Sequence, residues 1–307
     1  MKNTVVTLAA AFFLLSAPGR ADIEDTGNVF MWEASSETAT VYLLGTVHFA
    51  HEDIYPLDGS IERAFEKADT LVMEISMSAQ TQMEAAMLTM QHGMYTGQET
   101  LADNIPEETF ARLTDVLAEH GMPVAMVNRM RPWLASLTVV MMEYMAQGFE
   151  ATEGIDKHFY DRAVKRGLPV WQLETAESQI KMFAAGTDEE HALALSAALD
   201  QIPDVAEFLE EMMKTWLAGD ADALYELIKD QMGEDERLKA RAERLIYERN
   251  EAMLEKIEKL FEREGTYFVM VGAAHLVGER GIVAGLVDKG HSIVQVEKER
   301  ATADVSQ

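Results

Sequence analysis

The feature that most constrains the fold is a short pattern that occurs near both ends of the chain. An apolar run of strand length ends at Gly45 and is followed three residues later by His48, and a similar run ends at Gly272 and is followed by His275. Apolar runs of this length that stop at a glycine are typical of buried strands. The pattern therefore predicts that each histidine lies in a loop just past the carboxyl end of a strand.

The residues after each histidine extend the similarity. The first motif is followed by a helix-like run at about 57–67 and an apolar strand at 70–75, and the second by a helix-like run at about 278–289 and a strand at 292–296. Both patterns predict a β-loop-α-β unit. In a parallel pair with a right-handed crossover, the strand ends share one edge of the sheet, where α/β folds place their ligand sites. We predict an α/β fold whose central mixed or parallel sheet is built from both chain ends, with a large helical insert at about 78–230.

Glu74 lies in the otherwise apolar strand after the first motif. An ionised carboxylate at such a position is costly unless a cation or hydrogen-bond donors meet it. With His48 and His275 it forms a set of two histidines and one carboxylate, which suits Zn²⁺, Mn²⁺, Fe²⁺ or Co²⁺ with positions left open for water or substrate. The alternative is structural, with both histidines satisfied in their loops and no shared ion.

Further segments carry a resemblance to a known family. They are Arg131-Pro-Trp133, Gly154-Ile-Asp156 with Phe159, Leu173-Glu-Thr175 and Arg249-Asn250. Together with the paired motifs and Glu74, they resemble the TraB/GumN family, which includes the Tiki metalloproteases, over about 28–296. The resemblance implies a metal-dependent hydrolase or peptidase with His48, Glu74 and His275 as metal ligands. It leaves open whether the ion is Mn²⁺, Co²⁺ or Zn²⁺, and whether the substrate is a peptide or a small molecule.

Glu174 and Asp156 are candidates for supporting roles. Glu174 follows a short predicted strand at 170–173, which places it on what is expected to be the same edge of the sheet. Each of the two acids either supports the metal site, as a partner of a ligand or as a general base, or only favours the dipole of the helix that follows. The proton acceptor would be Glu174, or Glu74 itself if Glu74 is not a ligand.

Arg249 interrupts the apolar stripe of a predicted long helix at about 235–264. A guanidinium on a buried stripe must be paired or hydrogen-bonded. Arg249 therefore either reaches the site, where it and Asn250 stabilise an oxyanion, or forms a structural salt bridge. Arg131, at the start of an apolar segment, either lines the site or pairs at its rim.

Two further patterns have competing interpretations. Met83, Met87, Met90 and Met94 recur at helical spacing, which favours core packing over a pliable groove for an extended peptide or a copper(I) site. His51 is either a further ligand or, as we favour, solvent-facing, because the second motif has a glycine at the corresponding position.

The N-terminus predicts export. Lys2, the apolar run 5–15 and the small residues up to Ala21 are typical of a secretory signal at 1–21, followed by a single domain at 22–307; a buried N-terminal helix is the alternative. The run is too short to span a bilayer, and no other run approaches that length. We therefore expect a periplasmic or secreted protein.

Composition narrows the possible functions. A formal net charge of −27 argues against nucleic acid and anionic membranes as partners. The chain has no cysteine, so any metal must be held by nitrogen and oxygen ligands. The family resemblance implies a metallopeptidase or metallohydrolase; a non-catalytic periplasmic haem- or metal-binding protein is the alternative, and the oligomeric state stays open.

Overall fold

The computed structural model describes residues 24–231 and 235–300, and the predicted secretory signal lies outside them. The strands in these residues form one six-stranded sheet in the order β4-β3-β5-β2-β1-β6. In chain order the strands are β1 Asn28–Ser35, β2 Ala39–Thr46, β3 Thr70–Met73, β4 Val170–Gln172, β5 Gly265–Gly272 and β6 Ile293–Glu297.

The sheet is mixed. Strands β2 and β5, β5 and β3, and β3 and β4 pair in parallel, whereas β1 is antiparallel to both of its neighbours, β2 and β6. The predicted α/β fold is confirmed. The two predicted units do not sit side by side, however, because β5 from the second unit lies between β2 and β3 of the first. This order brings the carboxyl ends of four parallel strands to one edge.

A helical layer covers the sheet, and most of it comes from the predicted insert between β3 and β5, in which β4 is the only strand among the residues that the structure describes. The helices before and within the insert are α1 Gly59–Lys67, α2 Ala79–Gly93, α3 Leu101–Asn104, α4 Glu107–Glu119, α5 Pro132–Ala146, α6 Ile155–Arg166, α7 Ala176–Phe183, α8 Asp188–Gln201, α9 Val205–Ala218 and α10 Ala221–Gln231. They are followed by α11 Glu236–Ala242, α12 Glu248–Glu258 and, after β5, α13 Ile282–Asp288. None of the described helices is long and apolar enough to cross a membrane.

The core lies between the sheet and this layer. Leu43, Leu71 and Phe268 are fully buried, as is typical of parallel strands, and Phe30 on the antiparallel β1 is buried with them. A second, smaller cluster within the insert packs α4, α5 and α8 together through residues such as Leu113. The insert therefore has a core of its own beside that of the sheet.

The predicted long helix is not regular. A π turn at Glu243–Tyr247 separates α11 from α12, and a 3₁₀ turn at Lys259–Glu262 follows α12. A π turn inserts one extra residue into the helical ladder, and such turns are frequent at functional sites. Here the π turn lies directly before Arg249 and Asn250, both of which are buried in the first turn of α12.

The favoured interpretation of the methionine stripe is wrong. Met83, Met87 and Met90 are each about two-thirds exposed on α2, and Met94, just past its end, is half-buried. The helix instead buries Ala85, which packs against Ile75 and Ala176. A stripe at helical spacing identifies a face of a helix, but not whether another element covers that face.

Candidate active site

The backbone of Gly272 marks the point where the two motifs meet. A Cβ atom built on Gly272 would lie 3.2 Å from Glu74 Oε1, 3.5 Å from His48 Nε2 and 3.6 Å from His275 Cδ2. In addition, His275 Nε2 lies 3.8 Å from Glu74 Oε1. The structure thus brings together the three side chains that the sequence singled out as metal ligands.

The sheet explains this convergence. His48 follows β2, Glu74 follows β3 and His275 follows β5, so all three leave the same edge of neighbouring parallel strands. Gly154 lets the start of α6 approach the first histidine closely, since a Cβ there would lie 2.3 Å from the carbonyl oxygen of His48. The positions of the three side chains therefore depend on the order of the strands and on the close contact between the backbones of Gly154 and His48.

His48 is oriented by Asp156. Its Nδ1 lies 2.7 Å from Asp156 Oδ2, and the hydroxyl of Thr46 donates to the other carboxylate oxygen at 2.9 Å. Burial on its own would lower the pKa of His48, but the negative charges of Asp156 and Glu74 outweigh burial and raise it. With Nδ1 donating to Asp156, Nε2 is left facing Glu74 and Gly272.

His275 is oriented in the same way by Asn250. Its Nδ1 lies 2.6 Å from Asn250 Oδ1, while the amide Nδ2 of Asn250 donates to the carbonyl of Arg280 at 2.8 Å. That second bond identifies Oδ1 as the acceptor, so Nδ1 of His275 carries the proton. Burial, together with the nearby Arg249, lowers the pKa of His275 to about 3. The imidazole is therefore neutral, with its lone pair on Nε2.

Glu74, Arg249 and Glu174 form a buried charged cluster. Arg249 Nη2 donates to Glu74 Oε2 at 2.5 Å and to Glu174 Oε2 at 2.6 Å. The backbone N–H of Gly272 donates to Glu74 Oε1 at 2.5 Å. Burial alone would raise the pKa of Glu74, but Arg249 and the two histidines lower it to about 2. Arg249 is thus both a salt-bridge partner and a neighbour of the site, and the two alternatives do not exclude each other.

The catalytic roles predicted for Asn250 and Glu174 would use polar groups that already form hydrogen bonds within the chain. Asn250 uses both ends of its amide on His275 and Arg280, so its placement suits orientation of His275 rather than donation to an oxyanion. Glu174 accepts hydrogen bonds from Arg249 and from Gln179, and it is not simply a charge at the start of α7. Both roles in catalysis stay predictions.

Two other candidates lie outside this cluster. Arg131 forms a salt bridge with Asp188 at 3.0 Å and stacks over Tyr95, which fits the pairing alternative. His51 is half-exposed, and its ring packs against Phe149 at a centroid distance of 4.1 Å. Neither side chain lines the two cavities that border His48.

The side chains of His48, His275 and Glu74 are chemically suited to bind a divalent transition metal. Two oriented imidazole nitrogens and one ionised carboxylate are the ligand types that such an ion prefers. Among the described residues, however, no three His, Asp or Glu side chains already have the arrangement of a metal site. The carboxylate of Glu74 is drawn toward Arg249 and the N–H of Gly272, so an ion would have to share Oε1 with that N–H. The chemistry of the donors fits, with a small adjustment of Glu74.

Cavities lie on two sides of His48. One is bordered by Glu74, Asp156 and Lys157. The other also borders Gly272 and is walled by apolar side chains of α9 and α10 together with Val47, Phe49 and Tyr144. His48 thus lines both cavities, and the first of them also has apolar lining residues, namely Phe49, Met73, Ile75, Met77 and Ala151.

Asp156 and Thr46 complete the contacts around His48. The contact of Asp156 with His48 fits the ligand-partner alternative given for this acid, whereas no local pattern predicts the hydrogen bond of Thr46 to Asp156. His48 and Asp156 are 108 positions apart in the chain. The Gly154-Ile-Asp156 segment marked the position, but no local pattern pairs it with a particular histidine.

Comparison with known proteins identifies a protein family whose sequences are similar to this chain. Residues 30–295 match the model of the TraB/PrgY/gumN family. The chain is 26% identical over 269 residues to an uncharacterized protein, YbaP, of Escherichia coli strain K12, a match that covers 82% of this chain and 91% of the relative. It is 23% identical over 319 residues to a "Metalloprotease TIKI homolog" of Amphimedon queenslandica, covering 87% of this chain and 61% of that protein. No solved structure matches.

Proposed function

The chain belongs to the TraB/PrgY/gumN family, and on this premise we propose that it is an exported metal-dependent hydrolase, a Tiki-like peptidase that uses a metal-activated water. One observation carries the proposal: His48, Glu74 and His275 converge around the backbone of Gly272. A relative named as a metalloprotease TIKI homolog supports the peptidase assignment. Export is supported by the secretory pattern at 1–21.

The metal would be held by His48 Nε2, His275 Nε2 and Glu74 Oε1. A divalent ion bound there supplies Lewis acidity and an activated water. Asp156 and Asn250 hold the two imidazoles in the tautomer that leaves Nε2 free, a support that commonly changes metal affinity by about 10- to 100-fold when it is removed. A carboxylate with a pKa of about 2 is a weak base, which favours Glu74 as a ligand over Glu74 as the proton acceptor.

Arg249 balances the charge of the site. Its guanidinium lies against Glu74 and Glu174, and its remaining nitrogen Nη1 donates to the carbonyl of Leu245 at 3.2 Å. Because each of its three nitrogens donates within the chain, the role of Arg249 is to keep the two buried carboxylates ionised and in place rather than to contact the substrate. Glu174 then acts through Arg249, as the counter-charge that fixes the guanidinium.

The test combines metal analysis with peptide digestion. Protein purified without chelator is analysed for bound elements and then incubated with a peptide library in the presence of Mn²⁺, Co²⁺ or Zn²⁺. We expect a bound transition metal and peptide cleavage, both lost in His48→Ala and in His275→Ala. The matched control is His92→Ala, because His92 lies on α2, outside the cluster.

Two results would overturn the proposal. Unchanged metal content in both site variants would mean that the histidines share no ion. A haem absorption band in the purified protein, with no cleavage of any peptide, would instead favour the non-catalytic haem-binding alternative.

A further inference from the structure

An apolar cavity lies beside His48. It borders His48 and Gly272, so it opens directly onto the proposed metal site. The wall opposite the site is formed by six side chains of α9 and α10: Phe208, Met212, Trp216, Leu224, Leu227 and Ile228. Five of them are buried, and Met212 is half-buried.

Two of the polar groups around the cavity are already engaged within the chain. The indole Nε1 of Trp216 donates to the carbonyl of Gly45 at 2.7 Å, and the hydroxyl of Thr46 donates to Asp156. Burial raises the pKa of Tyr144, so its phenol is neutral. Although the chain has a net charge of −27, none of the described residues that line this cavity is an aspartate, glutamate, lysine or arginine. Apart from His48, the lining therefore offers no partner for a charged group.

The shape and surroundings of the cavity indicate what it binds. It contains about 660 Å³ of space that no atom fills, part of which is open solvent. Apolar walls hold water poorly, so an apolar group that enters the cavity replaces weak hydration with packing contacts. Met212, at the partly exposed side, has a flexible side chain that adapts to different ligands.

We propose that this cavity binds a large apolar side chain of a peptide substrate, such as Leu, Met or Phe, in a residue that flanks the cleaved bond. This inference rests on the proposed peptidase function. A peptide bond held near His48 and Gly272 borders this cavity, whereas the second cavity that His48 lines contains the charged residues Glu74, Asp156 and Lys157. The cavity without these charges is thus the better place for a large apolar side chain.

The main experiment measures cleavage preference. Peptides that differ only at each position flanking the cut are compared, with Leu, Met, Phe, Gly, Asp or Lys at that position. We expect kcat/KM at one flanking position to be about tenfold or more higher for the large apolar residues than for Gly. A preference for Asp or Lys, or no preference, would overturn the inference.

A variant that fills the cavity tests the location. In Met212→Trp the indole occupies part of the space, so we expect the preference for Leu over Gly to fall by about tenfold. Met126→Trp is the matched control, because Met126 is 61% exposed and does not line the cavity. Should Met212→Trp fail to fold, as judged by its melting curve, Met212→Phe serves in its place. A preference that persists in a folded filling variant would contradict the proposed location.

A binding measurement separates this inference from the proposed function. Protein with methyl-labelled methionine is titrated with N-acetyl-leucinamide or N-acetyl-glycinamide, and the Met212 methyl signal is assigned with Met212→Leu. We expect the leucine compound alone to shift this signal, while the Met126 signal stays unchanged. If no peptide is cleaved but the shift occurs, the peptidase proposal fails and the apolar site stands. If peptides are cleaved without preference and no shift occurs, the apolar site fails and the peptidase proposal stands.

Discussion

At the scale of single residues, the geometry of the site depends on the absence of a side chain at Gly272. Its backbone has φ −52°, which any residue can adopt, so the glycine is not needed for conformation. It is needed for space, since a methyl group there would lie between Glu74 Oε1 and His48 Nε2. The position that a Cβ would fill is next to the position that a metal ion would take.

Gly272→Ala is therefore expected to weaken metal binding without unfolding the protein. We expect the affinity for Mn²⁺ or Zn²⁺ to fall by about tenfold or more, and the unfolding free energy of the metal-free protein to change by less than ~1 kcal/mol. Metal titration and urea unfolding measure the two quantities. Gly97→Ala is the control, because nothing lies within 4 Å of a Cβ at that position. Equal metal affinity in both variants would contradict the role of Gly272.

The salt bridge between Arg249 and Glu74 predicts that the unfolding free energy depends on pH. The pKa of Glu74 is lowered from 4.5 to about 2, so its contribution to stability is complete above pH 4.5 and is lost as the pH falls toward 2. Without Arg249, the largest of the charges that oppose burial is removed, and we expect the pKa of Glu74 to rise above 4.5 although the two histidines and the N–H of Gly272 stay in place. The folded variant then binds a proton that the unfolded chain has released, so its stability falls as the pH rises.

The corresponding variant is Arg249→Met. We expect it to cost about 3–5 kcal/mol near neutral pH, because it leaves buried carboxylates without a partner. The cost is expected to be smaller at pH 5, and urea unfolding at the two pH values measures the difference. Arg112→Met is the control, since the exposed pair of Arg112 with Asp200 contributes at most ~1 kcal/mol. A cost of Arg249→Met that is equal at both pH values would rule out the assigned charge balance.

At the scale of elements, α12 and the π turn before it place two neighbouring residues on different parts of the site. Arg249 reaches the cluster of carboxylates, and Asn250 reaches His275. The extra residue in Glu243–Tyr247 changes the face that α12 presents relative to α11. A long helix followed by a motif-bearing strand thus contributes both to charge balance and to imidazole orientation.

Helix α2 shows the opposite case, in which an apolar face is left open. We expect the triple change Met83→Gln, Met87→Gln and Met90→Gln to alter the unfolding free energy by less than ~1 kcal/mol, because exposed side chains contribute little to the core. Met253→Gln, at a fully buried position of α12, is expected to cost more than ~2 kcal/mol. Chemical denaturation measures both, and a large loss in the triple variant would show that the stripe is covered in solution.

At the scale of the whole molecule, the sheet order joins distant parts of the chain at one point. His48 and His275 meet because β5 lies beside both β2 and β3. An ion held by both histidines would bind only the folded chain, since the unfolded chain does not keep the two together. Metal binding and global stability are therefore coupled.

We expect the melting temperature to rise with the free concentration of Mn²⁺, Co²⁺ or Zn²⁺. At about 100 times Kd, the stabilisation is ~2.7 kcal/mol. The shift should be absent in His275→Ala and small with Mg²⁺, which prefers oxygen ligands. Differential scanning calorimetry measures it. The same metal-dependent shift in wild type, His48→Ala and His275→Ala would exclude a shared site.

Local pattern by itself determined the elements and the candidate residues. Apolar runs that end at Gly45 and Gly272 identified two strand ends, and the cost of burying a charge singled out Glu74 and Arg249. The α/β class and the helical insert followed from the spacing of such runs, whereas the sequence left open whether the sheet is mixed or parallel. These features can be predicted from the sequence because they depend on residues that are close together in the chain.

Only the tertiary structure decided which partners these residues meet. The pairing of His48 with Asp156, of His275 with Asn250, and of Arg249 with two carboxylates depends on a strand order in which β5 separates β2 from β3. The exposure of the methionine face of α2 likewise depends on which elements pack nearby. Periodicity describes one element at a time, whereas contacts between distant residues are selected by the packing of all elements together.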